Sequence, residues 1–193
     1  MYKWLKWDFL LFIITLLGLM FIRPDIALAL GGILTIIFFV MTKRTDSLKY
    51  LLLSFIMAVI WVTIAGDLYY YDRGIITIGN VNTFAILEWT MGLFGLQHFI
   101  RMLITQLKIK KFFTKILTFT IIYWIILIIV EVLAYHVFGF RDMATSQYPG
   151  LPICNCIHAP VFMQTVYLFM GPVYYALTFL IENRIMKNSG ALS

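Results

Sequence analysis

The sequence predicts an all-α, polytopic integral membrane protein with six transmembrane helices and both termini in the cytoplasm, and three observations carry that reading. Of the 193 residues, 62% are hydrophobic and only 12% are charged, whereas charged residues make up about a quarter of an ordinary soluble domain. Apolar runs of roughly 17–25 residues, enough to cross about 30 Å of hydrocarbon as a helix, recur along the whole chain. The lysines and arginines fall into alternate connections. Lys3 and Lys6, then Lys43, Arg44 and Lys49, then Lys108, Lys110, Lys111 and Lys115, and finally Arg184 and Lys187 lie on one side, against Arg23, Arg73 and Arg141 on the other. Positive connections stay in the cytoplasm.

The expected helices cover residues 7–22, 25–41, 50–71, 83–106, 115–138 and 160–181 of a single transmembrane domain, 1–193. Helix one opens on "YKWLKWD", whose interleaved aromatics and lysines suit a membrane surface and place Asp8 at the interface. Its apolar run is too long, and too closely followed by another, for a cleaved signal peptide. "RPD" is a tight turn into helix two, with Pro24 favourable in the first helical turn. Gly31-Gly32 in helix two admits a close neighbouring helix.

Helix three follows the basic connection at 43–49 and helix four the loop at 72–82. In helix four, Glu88, Gly92 and Gly95 are spaced i, i+4, i+7 and share one face, which is expected to pack against protein and turn Glu88 inward. His98 and Arg101 lie on the inner half of that helix, where Arg101 is read as snorkelling to the cytoplasmic surface. The run "KIKK" is a lipid-facing stop before helix five, and no nucleic-acid motif is present. Pro160 starts helix six, which carries one helix-interrupting pair, Gly171-Pro172.

Counting from the outer helix ends at about 1.5 Å per residue puts Asp67, Glu88 and Glu131 in one layer, roughly 6–11 Å deep, with His136 just above. Carboxylates at such depth face the bundle interior or a water-filled cavity. These four are the candidate catalytic residues. A carboxyl group in an apolar pocket can protonate an alkene or carbonyl while a second acid or His136 takes a proton back. Trp61, Tyr70, Trp89, Tyr135 and Tyr167, with Tyr69, are the candidate substrate-binding rings, suited to a developing cation.

The segment "YPGLPICNCIHAP", residues 148–160, holds both cysteines, one of three histidines and three of five prolines. It belongs to the longest outer connection, 139–159, and its prolines make it a stiff cover. In an extended chain Cys154, Cys156 and His158 point to one side and offer three ligands to a soft metal. A closed zinc site needs four, and a disulfide between residues only two apart would be strained, so a packed lid holding neither is the preferred reading.

At "GDLYYYDRGIITIGNVNTFAILEW", residues 66–89, an acid at a helix end, a short glycine-bearing loop and a glutamate early in the next helix resemble the small integral-membrane lycopene and terpene cyclases. The resemblance covers about an eighth of the chain. It implies cofactor-free, proton-initiated cyclisation of an isoprenoid, with Asp67 and Glu88 matching the family's acidic residues. The family's Pro-x-Glu-Glu is here Ala85-Ile86-Leu87-Glu88. The expected function is thus a membrane-embedded enzyme, a cyclase or isomerase, acting on a lipid or isoprenoid near the outer leaflet of a prokaryotic cytoplasmic membrane, without cofactor. Its partners are membrane lipids and a hydrophobic small-molecule substrate. A proton-coupled transporter, or the substrate-binding subunit of one, uses the same acids. A structural subunit of a membrane complex is the third reading.

Overall fold

The computed structural model describes residues 5–71, 76–79, 81–137, 139 and 141–188. Lys3, Arg73 and the last five residues lie outside the described residues, as do the side chains of Lys6, Arg184 and Lys187. The chain is mostly helical: α1 (Leu5–Phe21), α2 (Pro24–Met41), α3 (Leu48–Ala65), α4 (Thr83–Gln106), α5 (Phe112–Val132) and α6 (Val161–Asn188), with a two-stranded hairpin, β1 (Thr77–Ile78) and β2 (Val81–Asn82), before α4. Among the described residues, four stretches are long and apolar enough to cross a membrane: Pro24–Met41, Thr45–Leu68, Phe112–Val137 and Val161–Asn183. Bulky apolar side chains stand exposed along them, among them Ile33, Ile37, Leu52, Ile60, Ile125 and Ile129, as a lipid-facing surface requires. All this is compatible with an integral membrane protein. The residues group into two compact units, Met1–Gly95 with Asp142–Ala144, and Leu96–Arg141 with Thr145–Ser193.

In the first unit α1 and α2 form a hairpin, and its helices approach closely because Gly31 has no Cβ. A Cβ there would collide with the Thr15 side chain of α1. The Thr15 hydroxyl is turned back on the Leu11 carbonyl at 2.9 Å, so the contact buries no unsatisfied donor. One end of the hairpin is closed by Arg44, which grips Asp8 with two hydrogen bonds of 2.7 and 3.0 Å and lies 4.5 Å from the Phe39 ring centre. Phe39, Tyr50, Leu51 and Phe94 form the adjoining core cluster.

The other end is closed by Arg23 and Asp25, paired at 2.7 Å. Asp25 is buried, and it also accepts the amide of Ile76 at 3.0 Å, which ties the hairpin segment to the α1–α2 turn. Across Gly79 the strands pair antiparallel, Thr77 with Asn82 and Ile78 with Val81. Asn82 then caps α4: its side-chain oxygen accepts the Ala85 amide at 3.1 Å, satisfying one of the helix's orphan donors. Among the described residues four non-glycine residues adopt positive φ, and two of them, Lys43 (φ 57) and Lys108 (φ 53), follow α2 and α4. There the chain doubles back so that Arg44 bonds the Phe39 carbonyl at 2.8 Å and Ile109 the Ile104 carbonyl at 3.1 Å, the bond pattern of a Schellman stop.

In the second unit α5 packs against α6 around Phe119, fully buried and stacked 4.5 Å from Tyr175. Pro172 lies inside α6. It has no N–H for the carbonyl of Leu168, four residues back, and α5 supplies the missing donor: Trp124 Nε1 donates to that carbonyl at 2.8 Å. Next to it the Tyr123 hydroxyl donates to the Tyr167 carbonyl, and the Tyr123 ring fills the space that a Cβ at Gly171 would occupy. Gly171-Pro172 is therefore a docking notch for two aromatics of α5. Beyond Val132, α5 widens into a π turn, Leu133–Val137, which carries Tyr135 and His136.

The donor-replacement reading has a direct test. Trp124→Phe should lower stability by about 1–2 kcal/mol, the range of hydrogen bonds in apolar helix interfaces. Adding Pro172→Ala, which restores an N–H at residue 172, should recover most of that loss. Thermal unfolding in detergent, followed by size-exclusion chromatography of heated samples, measures both. Additive losses in the double variant would show that Trp124 is not compensating for the proline.

Candidate functional site

The first unit builds its site where α3 ends. Gly66, at φ 51, closes the helix six residues before the expected end at Tyr71, and a 3-10 turn, Gly66–Leu68, follows. Positive φ is inexpensive only for glycine. The turn sends Tyr69 back into the core, where it is 4% exposed. Its hydroxyl oxygen accepts two indole N–H groups, from Trp61 of α3 at 2.7 Å and Trp89 of α4 at 3.0 Å. Each such bond contributes about 1 kcal/mol net, and together they join α3, the turn and α4. Trp61 and Trp89 are both buried, and the indole N–H of each is spent on Tyr69.

The early helix end also moves Asp67. The expected position inside the bundle is corrected: Asp67 lies in the 3-10 turn and is exposed. Tyr70 follows it outward. Its side chain is 63% exposed, rather than lining a pocket, while its backbone is held by Asp142, which accepts the Tyr70 amide at 3.1 Å. The Met143 amide returns a bond to the Tyr70 carbonyl at 2.7 Å.

Glu88 sits on the second turn of α4 and is half-buried. Among the described residues its carboxyl has no hydrogen-bond or ion-pair partner, in contrast to Asp8 and Asp25, each closed by an arginine. The expected packed glycine face is found only in part. Phe12 of α1 lies in ordinary contact with Gly95, but Gly92 is exposed and nothing lies within 4 Å of where its Cβ would be. One turn from the carboxyl the surface of α4 is bare.

Asp25 was not singled out from sequence as a buried acid. The pattern Arg-Pro-Asp at a helix start was the available signal, since a carboxylate at the first helical turn bonds its backbone amides, and the Ile26 amide does donate to Asp25 at 3.0 Å.

The remaining candidates belong to the second unit. Glu131 is half-buried in the last turn of α5. On the π turn, His136 is exposed, with Nε2 3.3 Å from the Cys154 carbonyl oxygen. Tyr135 stacks on His158 at 4.5 Å, and the Arg141 guanidinium lies 4.9 Å from the Tyr135 ring centre. Tyr167 is buried against α5; its carbonyl takes the Tyr123 hydroxyl, so the residue serves the α5–α6 contact.

One expectation for the outer segment is overturned, that it is a lid without a disulfide. Cys154 and Cys156 are joined in a disulfide, so neither sulfur is a thiolate ligand beside His158. Of the extended and re-entrant covers that the prolines allow, the segment takes a turned form. Asn155 (φ 46) and Ile157 (φ 52) adopt left-handed backbone, which draws the cysteine Cα atoms to 5.1 Å; the extended chain assumed from sequence would hold them roughly 7 Å apart. Leu151 accepts the amides of Cys154 and Asn155 and donates to the Cys156 carbonyl at 2.8 Å. The reversal passes so close to Gly150 that a Cβ there would lie 2.9 Å from the Asn155 carbonyl carbon. Both ring nitrogens of His158 face backbone carbonyls, of Tyr148 at 2.8 Å and Asn155 at 3.1 Å, and Gln164 of α6 donates to the carbonyls of Pro149 and Ile157. Histidine and glutamine thus act as side-chain staples for a loop without regular structure.

Compared with known proteins, the chain matches no family model, no curated protein and no solved structure.

The oxidised pair gives a measurable expectation. Protein purified without reductant should react with no maleimide, and after reduction should take up two, a change read by intact mass. Uptake of two labels without reduction would remove the disulfide.

Proposed function

We propose that the protein is a membrane-embedded enzyme acting on a lipid or isoprenoid by carboxylate acid/base chemistry, with Glu88 as the proton donor. The supporting observation is that Glu88, half-buried on α4, makes no hydrogen bond or ion pair with any described residue, while the helix surface one turn away at Gly92 is bare. An acid with neither a compensating cation nor fixed donors is chemically free to give and recover a proton, and a hydrocarbon substrate lies readily against a helix face without side chains. The proton is handed to an alkene carbon, the cation that forms is stabilised by the aromatic faces of Trp61 and Trp89, and loss of a proton from the cation ends the reaction as isomer or ring. The carboxylate left at Glu88 takes up that proton, which returns the acid to its starting state.

The proposed setting is six spans with both termini cytoplasmic, α1 and α4 crossing with the four longer apolar stretches, in the cytoplasmic membrane of a prokaryotic cell. The lysine and arginine asymmetry supports it. An impermeant thiol reagent applied to reduced intact cells should then reach Cys154. Labelling only after the membrane is breached would reverse the orientation.

A proton-coupled transporter, or its substrate-binding subunit, is the second reading, favoured by the Gly171-Pro172 interruption in α6. One pair of variants separates the readings. Glu88→Gln keeps size and hydrogen bonding but donates no carboxyl proton. Gly92→Leu fills open space and should cost no stability, since leucine is about 0.5–1 kcal/mol better than glycine in a helix. Lipid extracts of cells with and without the protein, compared by mass spectrometry, should differ for the wild type, should lose the difference with Glu88→Gln, and should lose most of it with Gly92→Leu. An unchanged wild-type extract together with Glu88-dependent uptake of a labelled solute into vesicles would establish the transporter instead.

A further inference from the structure

Away from Glu88, the second unit encloses a cavity of about 180 Å³, lined by Gln97, Arg101 and Thr105 of α4, Lys115 of α5, and Tyr175, Thr178 and Glu182 of α6, with Ile104 and Phe179 completing the wall. Its polar groups divide sharply. Thr105 and Thr178 return their hydroxyls to backbone carbonyls at 2.8 and 2.7 Å, and Arg101 pairs with Glu182 at 3.0 Å. Gln97 and Tyr175 are 2% and 7% exposed, yet the Gln97 amide and the Tyr175 hydroxyl make no hydrogen bond to any described residue. No fully enclosed side-chain nitrogen or oxygen among the described residues lacks a partner, so the polar atoms of these two residues open into the cavity itself. Lys115 has no ion-pair partner among the described residues; its ammonium lies 6.0 Å from the Phe179 ring centre.

The Gln97 amide and the Tyr175 phenol, in residues otherwise buried, thus turn their polar atoms to the cavity beside an ammonium that no carboxylate neutralises, where a bound ligand would complete their hydrogen bonds. Two cations against one carboxylate leave one net positive charge, and the groups free to act are donors: the Gln97 NH₂, the Tyr175 hydroxyl and the Lys115 ammonium. That set fits a singly charged oxyanion. The cavity runs from Gln97, about 13 Å before the end of α4, to Thr105 and Lys115, which flank the connection bearing Lys108, Lys110 and Lys111. A basic connection at a membrane face gathers anionic headgroups, and basic pockets between helices hold them.

We propose that this cavity binds the phosphate group of an anionic phospholipid headgroup, or of a soluble phosphate of the same chemistry, with Gln97, Tyr175 and Lys115 as its donors. The site is independent of the Glu88 reading and stands if that reading fails.

The test uses the full chain in detergent and two probes, dioctanoyl phosphatidylglycerol and glycerol 3-phosphate, with dioctanoylglycerol as the phosphate-free control, each titrated by isothermal calorimetry. Saturable binding of phosphatidylglycerol but not of dioctanoylglycerol is expected, weakened about tenfold by Tyr175→Phe and by Lys115→Gln, the loss of one hydrogen bond to a charged group. Gln97→Leu should do the same, and Tyr175→Phe, which removes one oxygen, covers the case in which that variant does not fold. Lys110→Gln, on the connection, should change affinity less than twofold. Equal binding by glycerol 3-phosphate assigns a soluble phosphate; binding of the lipid alone assigns a headgroup. Failure of both probes to saturate, binding unaffected by Tyr175→Phe and Lys115→Gln, or an equal loss with Lys110→Gln would overturn the proposal.

Discussion

A polar group inside an apolar helix has no water to fall back on, and the need to find its partner within the chain organises both units of this protein. In the first, the two ends of the α1–α2 hairpin are fixed by arginine–aspartate pairs, Asp8 with Arg44 and Asp25 with Arg23. Neither pair is a simple surface contact. Arg44 also lies on the Phe39 ring, and Asp25 gathers backbone amides from Ile26 and Ile76, so removing one partner would strand the other. In the second unit the same need is met by side chains donating to bare carbonyls: Trp124 where Pro172 breaks α6, and Gln164 and His158 in the loop around the disulfide.

How much of this can be read from sequence depends on the range of the interaction. Apolar runs and lysine placement locate α4 at residues 83–106 without error and α2 within a residue, because a long apolar run between polar connections is a local property of composition. Glu88 stood out for the same reason, as a charge where charge is costly. The errors lie where the chain leaves the helix. Gly66 ends the α-helical part of α3 early through a positive φ, and a run of apolar and aromatic residues through Tyr71 hides that stop, so Asp67 falls in a terminal 3-10 turn and not inside the helix. An extended chain cannot make the Cys154–Cys156 disulfide; the left-handed backbone that allows it has a marker at Asn155, a residue type that tolerates positive φ, but none at β-branched Ile157. Tyr69 as the acceptor of two indoles, and Trp124 as the donor to a proline-freed carbonyl, depend on pairings across 20 and 44 residues, which no local pattern encodes.

Tyr69 bears on the proposed chemistry as well as on stability. Stabilising a cation by ring faces requires aromatic rings that do not turn when charge develops, because reorientation would consume the stabilisation it provides. The indoles of Trp61 and Trp89 are fixed at their N–H edges by one phenol oxygen, itself held in the core by the turn at Gly66. The residues that terminate α3 early are therefore the ones that set the ring walls, and the exposure of Asp67 accompanies the inward placement of Tyr69.

Where partners are withheld, the two exceptions differ in kind, and the difference says what each can handle. Glu88 is a single acid beside a helix surface stripped of side chains at Gly92; nothing there would fix a polar ligand, and the group has only a proton to offer. Gln97, Tyr175 and Lys115 form the opposite environment, donors facing a cavity whose carboxylate, Glu182, is paired with Arg101, and the ligand proposed for it is an anion. Both exceptions draw on α4, whose first turns are capped by Asn82 and whose last turn closes on Lys108 without glycine. The ends of α4 are satisfied by its own backbone and cap, and buried Trp89, Leu93, Phe94 and Ile104 supply its packing, so neither the Glu88 carboxyl nor the Gln97 amide is used to hold the helix, and both proposals draw on that.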